Sequence, residues 1–285
     1  MATQSFDPQR FKLQQREEYD SSAAGWKNWW YIFERDAQLV SDRLVELAGV
    51  DAGHRVLDLA TGTGEPAVTV ARRVGPRGHV VATDLSPQML AIAQERAATL
   101  GLQNIECHVM DAETLELAGQ TFDSVVCRWG LMFLPDLSPA LRRMHKLLVK
   151  GGRVVAAVWG AADRVPLLSL PRRVIQEQLR LAGPPPVHGA FSLADPALLK
   201  QAFSAAGYSD VRTEQGQVTF SFTSAEDYSY FVRDIGGRLR AMLADQPAGR
   251  EAAVWRSVAD AARGYAASDG SLALRNEVIY VIARK

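Results

Sequence analysis

The chain has 285 residues, of which 47 % are hydrophobic, so it can build one large domain or a domain with a cap. Its basic and acidic residues number 32 each, and the resulting zero net charge argues against a nucleic-acid partner held by bulk charge. No apolar run predicts a membrane span, and the polar stretch 1–20 lacks a signal-peptide core. The two cysteines, Cys107 and Cys127, fit small buried side chains in a reducing compartment. We therefore expect a cytoplasmic globular protein, a monomer or homodimer, without a metal site or a membrane span.

Strand and helix patterns alternate along the first half of the chain. After a helix at 33–47, strands are predicted at 55–60, 79–84, 104–109, 122–127 and 153–159, and helices at 66–74, 87–100 and 139–148. Parallel neighbouring strands need crossover connections, which these helices supply. The alternation therefore predicts an α/β fold with a Rossmann-like, doubly wound sheet.

The pattern changes after residue 160. Helical segments are predicted at about 161–192, 195–207 and 224–265, and two strands at about 210–222 and 276–285. We expect the two strands to complete a seven-stranded sheet whose last strand is antiparallel. The helices at 161–192 and 224–265 would then form a mainly helical substrate cap.

The predicted organisation has three parts. They are an N-terminal helical lid at 1–35, a cofactor-binding core at 36–160, and a C-terminal part at 161–285 that holds the cap and the remaining strands. No internal repeat or low-complexity tract interrupts them.

The most informative stretch is the loop Asp58-Leu-Ala-Thr-Gly-Thr-Gly64, which follows an apolar strand. Glycines in such a turn let the backbone pass close to a ligand. Asp84 ends the second strand, 26 residues after Asp58, and Asp111 follows the third. Acids at the ends of successive parallel strands suggest a ligand with a ribose, an adenine and a charged tail.

These residues, with the turn Lys150-Gly151-Gly152, resemble the motif series of class I S-adenosylmethionine-dependent methyltransferases. The resemblance is strongest to the ubiquinone/menaquinone-biosynthesis C-methyltransferase-like branch and covers about 36–160. Ala60 stands where the family usually has the first glycine of the loop. The resemblance implies S-adenosylmethionine as cofactor and O-, C- or N-methylation of a small, aromatic or apolar metabolite.

The resemblance also implies a set of cofactor-binding residues: Asp58, Ala60, Gly62, Gly64, Asp84, Leu85, Met89, Asp111, Ala112, Arg128 and Trp129. Asp84 would accept from the ribose hydroxyls and Asp111 from the adenine amino group, while Asp58 would orient the loop or meet the ammonium group. Plainer interpretations stay open. Asp84 can begin a turn, Asp111 can cap a helix, Met89 can be core, and Arg128 can pair with a local acid.

Residues on the acceptor side carry less signal. His188, on a predicted cap loop, is the candidate general base. Trp26 and Trp30 would share one helix face at i and i+4, and with Tyr19 they would form a lid, with Tyr228 on the opposite wall. Alternatively, the aromatic residues belong to an amphipathic helix packed on the sheet.

Two other functions remain open from the residues alone. One is an NAD(P)-dependent oxidoreductase, because an acid at the end of the second strand suits that cofactor too. Against it, the loop lacks a third glycine at the dinucleotide spacing, and Asp111 has no role there. The other is a non-catalytic cofactor-binding protein.

Overall fold

A seven-stranded sheet forms the centre of the protein. The computed structural model describes residues 6–181 and 188–285. The strands are β1 (Arg55–Leu59), β2 (His79–Asp84), β3 (Ile105–Val109), β4 (Phe122–Arg128), β5 (Leu148–Trp159), β6 (Ser209–Phe222) and β7 (Leu272–Arg284). Their order is β3-β2-β1-β4-β5-β7-β6; β1 to β5 pair in parallel, and β7 is antiparallel to both its neighbours. The predicted Rossmann-like sheet with an antiparallel last strand is confirmed.

Helices connect the strands and surround the sheet. They are α1 (Pro8–Asn28), α2 (Trp30–Asp36), α3 (Gln38–Ala48), α4 (Ala67–Val74), α5 (Pro87–Thr99), α6 (Leu137–Leu147), α7 (Pro166–Gln178), α8 (Pro196–Ala205), α9 (Ala225–Ile235), α10 (Gly237–Ala241) and α11 (Ala248–Ala262). Short 3₁₀ turns lie at Leu131–Phe133, Ala162–Arg164 and Arg263–Tyr265. None of the helices within 6–181 and 188–285 has the length and apolarity to cross a membrane.

The strand order places a crevice above the centre of the sheet. Successive connections run in opposite directions from β1, toward β2 on one side and β4 on the other. In doubly wound folds, ligands bind at such a switch point, outside the carboxyl ends of the strands. The loops after β1, β2 and β4 are therefore the ones that a ligand would meet.

The N-terminal helices differ from the prediction in where they break. The expected helix at 33–47 is interrupted at Ala37, between α2 and α3. The Asp36 carboxylate holds the end of α2, because it accepts from the Ser221 backbone N–H at 2.8 Å and pairs with Arg35. A second break follows α1, where the Trp29 indole N–H donates to Asp234 at 3.0 Å. These long-range bonds fix the breaks and are not visible in the local periodicity.

The helical region at 224–265 is likewise three helices. Gly236 separates α9 from α10, and Pro247 precedes α11. A Cβ at Gly237 would lie 2.5 Å from the Glu18 carbonyl oxygen, so the glycine allows α10 to approach α1 closely. The cap thereby packs directly against the N-terminal helix.

The core runs along the central strands and under the cap. β4 and β5 are buried over most of their length, and the aromatic rings of Phe33, Phe220 and Phe231 join the sheet to α2 and α9. Each fully buried phenylalanine contributes roughly 1.5–3 kcal/mol from removal of apolar surface. The strands whose ends carry the site loops are therefore packed against a buried core.

Candidate active site

A first cavity opens at the carboxyl ends of β1, β2 and β4 and has a volume of about 1040 Å³ including its mouth. Residues of α1 form its cover. The wall includes, from the predicted cofactor set, Ala60, Gly62, Asp84, Leu85, Met89, Asp111, Ala112, Arg128 and Trp129. It also includes residues that the sequence interpretation did not single out, among them Gln15, Thr61, Glu65 and Ser86.

The glycine loop bends sharply as it leaves β1. Ala60, Gly62 and Gly64 have φ angles of 56°, 57° and 100°, the left-handed region that favours glycine. At Gly64 a Cβ would lie 3.2 Å from the Ala93 Cβ, so glycine also allows close packing on α5. Ala60 adopts the same region at a cost of roughly 1–2 kcal/mol.

Asp58 lies behind this loop and not on the cavity wall. Its Oδ2 accepts from the Thr61 hydroxyl at 2.6 Å and from the Ala67 backbone N–H at 2.9 Å, which ties both ends of the loop together. Burial raises the pKa of the carboxyl to about 8, against the lowering effect of the Thr61 hydrogen bond. Its Oδ1 is buried without a hydrogen-bond partner among the described residues. The contacts favour the loop-orienting role.

Asp84 faces the cavity with both oxygens already oriented. Oδ2 accepts from the Gly62 backbone N–H and Oδ1 from the Ser86 backbone N–H, each at 2.8 Å. Burial raises the pKa of this carboxyl, and the backbone hydrogen bonds oppose the shift. A carboxylate oxygen can accept more than one hydrogen bond, so Asp84 retains capacity for a diol.

Asp111 lies on the far wall and is paired with α1. Lys12 Nζ is 2.7 Å from Asp111 Oδ2 and 2.5 Å from Glu113 Oε2. Asp111 Oδ1 also accepts from the Glu113 backbone N–H at 2.9 Å, which is a turn-forming contact. The Asp111 carboxylate therefore stabilises the turn that follows β3 and also holds α1 over the cavity through Lys12.

Arg128 and Trp129 form the floor next to β4. The Arg128 guanidinium donates to the Ser41 hydroxyl at 2.9 Å, and burial lowers its pKa, against the pull of Glu65 and Asp58. Trp129 has a φ of 59° and stacks on Trp159 with ring centroids 4.2 Å apart. The strained backbone turns the indole toward the neighbouring cavity.

Helix α1 is fastened over the cavity at several points along its length. Besides the Lys12 ion pairs, Asp20 Oδ1 accepts from the Ser86 hydroxyl at 2.5 Å. Lys27 pairs with Glu95 on α5 at 2.6 Å. Asp7 caps the start of the helix by accepting from two backbone N–H groups. These contacts make α1 part of the site.

A second cavity, of about 1150 Å³, adjoins the first and lies between α1, α7 and the segment from α9 to α10. Its wall is mainly apolar and aromatic, with Phe33, Met132, Trp159, Leu167 and Phe191 among its members. Five residues line both cavities: Gln15, Tyr19, Trp26, Trp129 and Phe133. Gln15 Oε1 and the indole nitrogens of Trp26 and Trp129 are buried there without a partner among the described residues.

Three residues expected on the acceptor side lie elsewhere, which corrects those expectations. Trp30 is on α2, past the end of α1, and its ring packs 3.1 Å from the Arg96 guanidinium carbon, outside both cavities. Tyr228 is a core residue whose hydroxyl donates to the Leu167 carbonyl at 2.9 Å. His188 stacks on Phe6 with centroids 4.4 Å apart and lines neither cavity.

Glu18 is the acidic side chain on the wall of the second cavity. Burial raises the pKa of its carboxyl, and Arg238 opposes the shift. Nothing in the sequence pattern distinguished Glu18 from its neighbour Glu17. Its relevance depends on the packing of α1 against α10.

The sheet order and the glycine loop are those of a Rossmann-like, doubly wound α/β fold. Residues 56–152 match the family described as "Methyltransferase domain". This stretch is therefore a methyltransferase domain, and the resemblance seen in the motifs is confirmed.

Curated relatives match over the same part of the chain. Ubiquinone/menaquinone biosynthesis C-methyltransferase UbiE of Pasteurella multocida (strain Pm70) is 38 % identical over 112 residues, which is 39 % of this chain and 42 % of that protein. Aklanonic acid methyltransferase DauC of Streptomyces sp. (strain C5) is 39 % identical over 112 residues, or 39 % of this chain and 51 % of that protein. The matches span roughly half the length of these relatives.

A solved structure resembles the fold over a longer stretch. The YcgJ protein from Bacillus subtilis superposes with a TM-score of 0.58 at 18 % identity, covering 86 % of this chain and 97 % of that one. The likeness supports the fold.

Proposed function

We propose that the protein transfers a methyl group from S-adenosylmethionine to a small, largely apolar or aromatic acceptor. The observation that carries the proposal is the meeting of two cavities at one shared wall. The first has the polar groups that the cofactor needs, and the second is apolar and aromatic. When bound, the cofactor supplies an electrophilic methyl group on a sulfonium centre.

The residues of the first cavity fit this cofactor. Asp84, oriented by two backbone N–H groups, would hold the ribose hydroxyls. Leu85 and Met89 would pack against the adenine or ribose, and Asp111 and Ala112 would meet the adenine edge. Gly62 would let the backbone pass beneath the methionine part. Glu65, a buried carboxylate on the wall, would face its positively charged end.

The shared wall would bring donor and acceptor together. Methyl transfer depends largely on proximity and alignment, which account for much of the acceleration of such reactions. Tyr19, Trp26 and Trp129 would exclude water and hold the acceptor ring at the junction of the cavities. A base is needed only if the acceptor must lose a proton, and Glu18 would supply it from the acceptor cavity.

The other two functions have less support. None of the comparisons above points to a nicotinamide-dependent oxidoreductase, and the glycine spacing disfavours one. A cofactor-binding protein without transferase activity would not need an apolar cavity opening onto the cofactor wall. We further propose a cytoplasmic protein, monomeric or homodimeric, consistent with its two free cysteines.

The test measures cofactor binding and transfer separately. Calorimetry with S-adenosylhomocysteine and with NAD should show binding of the first ligand only. Incubation of a metabolite extract with the enzyme and isotopically labelled S-adenosylmethionine should yield a labelled small molecule, identified by mass spectrometry. Binding of NAD alone would refute the proposal. Cofactor binding without a labelled product across broad extracts would favour the non-catalytic alternative.

A further inference from the structure

Two arginines on the acceptor cavity lack carboxylate partners. Arg172 on α7 and Arg238 on α10 both line the second cavity, and neither lines the first. Within the described residues, no carboxylate lies within 4.0 Å of either guanidinium group, whereas many surface arginines of this chain are paired. Arg172 is partly buried, so its guanidinium group loses hydration at this apolar wall without gaining a counter-ion, whereas Arg238 is exposed at the rim of the cavity.

The charge of Arg238 acts on Arg172. Burial lowers the pKa of Arg172, and the positive charge of Arg238 lowers it further. Arg238 Nη1 lies 3.8 Å from the position of a Cβ at Gly189, so its head group reaches across to the loop after α7. Two like charges held near one cavity are stabilised by an anion between them.

Glu18 offsets only part of this charge. It is the acid on the same wall, and it forms no ion pair within 4.0 Å among the described residues. One carboxylate against two guanidinium groups leaves the wall with one excess positive charge. The remainder of the wall is mostly aromatic and aliphatic.

We propose that the acceptor is an aromatic acid, whose carboxylate is held by Arg172 and Arg238 while its ring lies among the aromatic side chains of the second cavity. This inference rests on the proposed function. Planar guanidinium groups match carboxylates in geometry, often through two parallel hydrogen bonds. Since the arginines lie away from the cofactor wall, the carboxylate is the anchor, and the methyl group goes to another atom of the acceptor.

The test uses a matched pair of probes, 6-hydroxy-2-naphthoate and 6-hydroxy-2-naphthamide, titrated into the full chain saturated with S-adenosylhomocysteine. The naphthoate should bind the wild type roughly 10-fold or more tightly than the amide, as expected for a charge-assisted contact. R172Q and R238Q should each reduce naphthoate affinity to about the level of the amide. R173Q, which changes an exposed neighbour of Arg172, is the control and should leave both affinities unchanged.

The outcomes separate this inference from the proposed function. Equal affinity for the two probes, no naphthoate binding at millimolar concentration, or an equal effect of R173Q would overturn the inference. Failure to bind S-adenosylhomocysteine would instead refute the proposed function. In addition, labelled products from an extract should resist alkaline hydrolysis, whereas release of labelled methanol would show a methyl ester and refute the anchoring role.

Discussion

The two cavities are built in contrasting ways. The cofactor cavity carries several carboxylates and is formed mainly by loops that follow β1, β2 and β4, with α1 as its cover. The acceptor cavity is mostly apolar and gathers residues from α1, α7, α9 and α10, which lie far apart in sequence. The residues proposed to bind the cofactor therefore belong to local sequence motifs. The shape of the proposed acceptor cavity depends instead on packing between helices that are distant in sequence.

Helix α1 belongs to both cavities and connects them. Gln15, Tyr19 and Trp26 line both cavities, whereas Lys12 lines only the cofactor cavity. A change in α1 should therefore affect both ligands, whereas a change in a strand-end loop should affect the cofactor alone. Substitutions in the cofactor wall, in the shared wall and behind the glycine loop should change different properties.

The largest expected effect is on cofactor affinity in D84N. Asparagine keeps the size of the side chain but removes the negative charge of the carboxylate that would accept hydrogen bonds from the ribose hydroxyls. Loss of a charged hydrogen-bond partner contributes about 1.5–3 kcal/mol, or roughly 10- to 150-fold in Kd for S-adenosylhomocysteine. Calorimetry measures this Kd, with D51N as the control because the Asp51 side chain is 74 % exposed and distant from the cavity wall. An unchanged Kd in D84N would show that Asp84 does not hold the cofactor.

A smaller effect should distinguish Trp26 from Trp30. W26L removes a ring from the wall common to both cavities, and we expect turnover to fall about tenfold through lost positioning. W30L removes the contact with Arg96, at a cost of about 1 kcal/mol in stability, and turnover should be preserved because Trp30 lines neither cavity. Initial rates of labelled methyl transfer and melting temperatures report the two quantities. Equal losses of turnover in the two variants would contradict the assignment of Trp26 alone to the wall.

The third effect is on pH-dependent stability and not on ligand affinity, and it concerns Asp58. Its folded-state pKa of about 8 lies above its ordinary value of 3.8, so the folded protein binds the extra proton between these values. The associated stability is full below the ordinary pKa and is lost as pH rises toward 8, with a slope of up to about 1.4 kcal/mol per pH unit.

D58N should therefore flatten the decline of the free energy of unfolding with pH. Its side-chain oxygen can still accept from Thr61 and the Ala67 backbone, so the loop retains its support. Urea unfolding at a series of pH values, without cofactor, gives the slope, and D51N should match the wild type. An identical slope in D58N would mean that Asp58 does not titrate over this range.

Much of the fold could be predicted from sequence, because each signal was local. The alternation of strands and helices, the proline at the start of α5 and the Ser86 cap all act within a few residues. Asp84 and Asp111 could be placed in one cavity because parallel strands end at the same sheet edge. The antiparallel pairing of β6 with β7 was expected, but the position of β7 between β5 and β6 was not predicted.

The acceptor side could not be predicted in the same way. The i, i+4 pairing of Trp26 and Trp30 assumed a continuous helix. The helix breaks at Trp29, whose indole N–H donates to Asp234, a residue 205 positions away in sequence. Glu18 and Gln15 differ from other polar residues of α1 only by the surfaces that pack against them. His188 was chosen for its titration range, and its stacking on Phe6 comes from tertiary placement.

The unusual alanine at position 60 lies against Gly130, in the loop that follows β4. A Cβ at Gly130 would lie 2.5 Å from the Ala60 Cβ, so the two loops share room for a single methyl group. The Ala60 methyl group occupies this space, so only glycine fits at position 130. A Cβ at position 130 would also lie 2.8 Å from Cys127 Sγ, so position 130 requires glycine even if the Ala60 methyl group is removed.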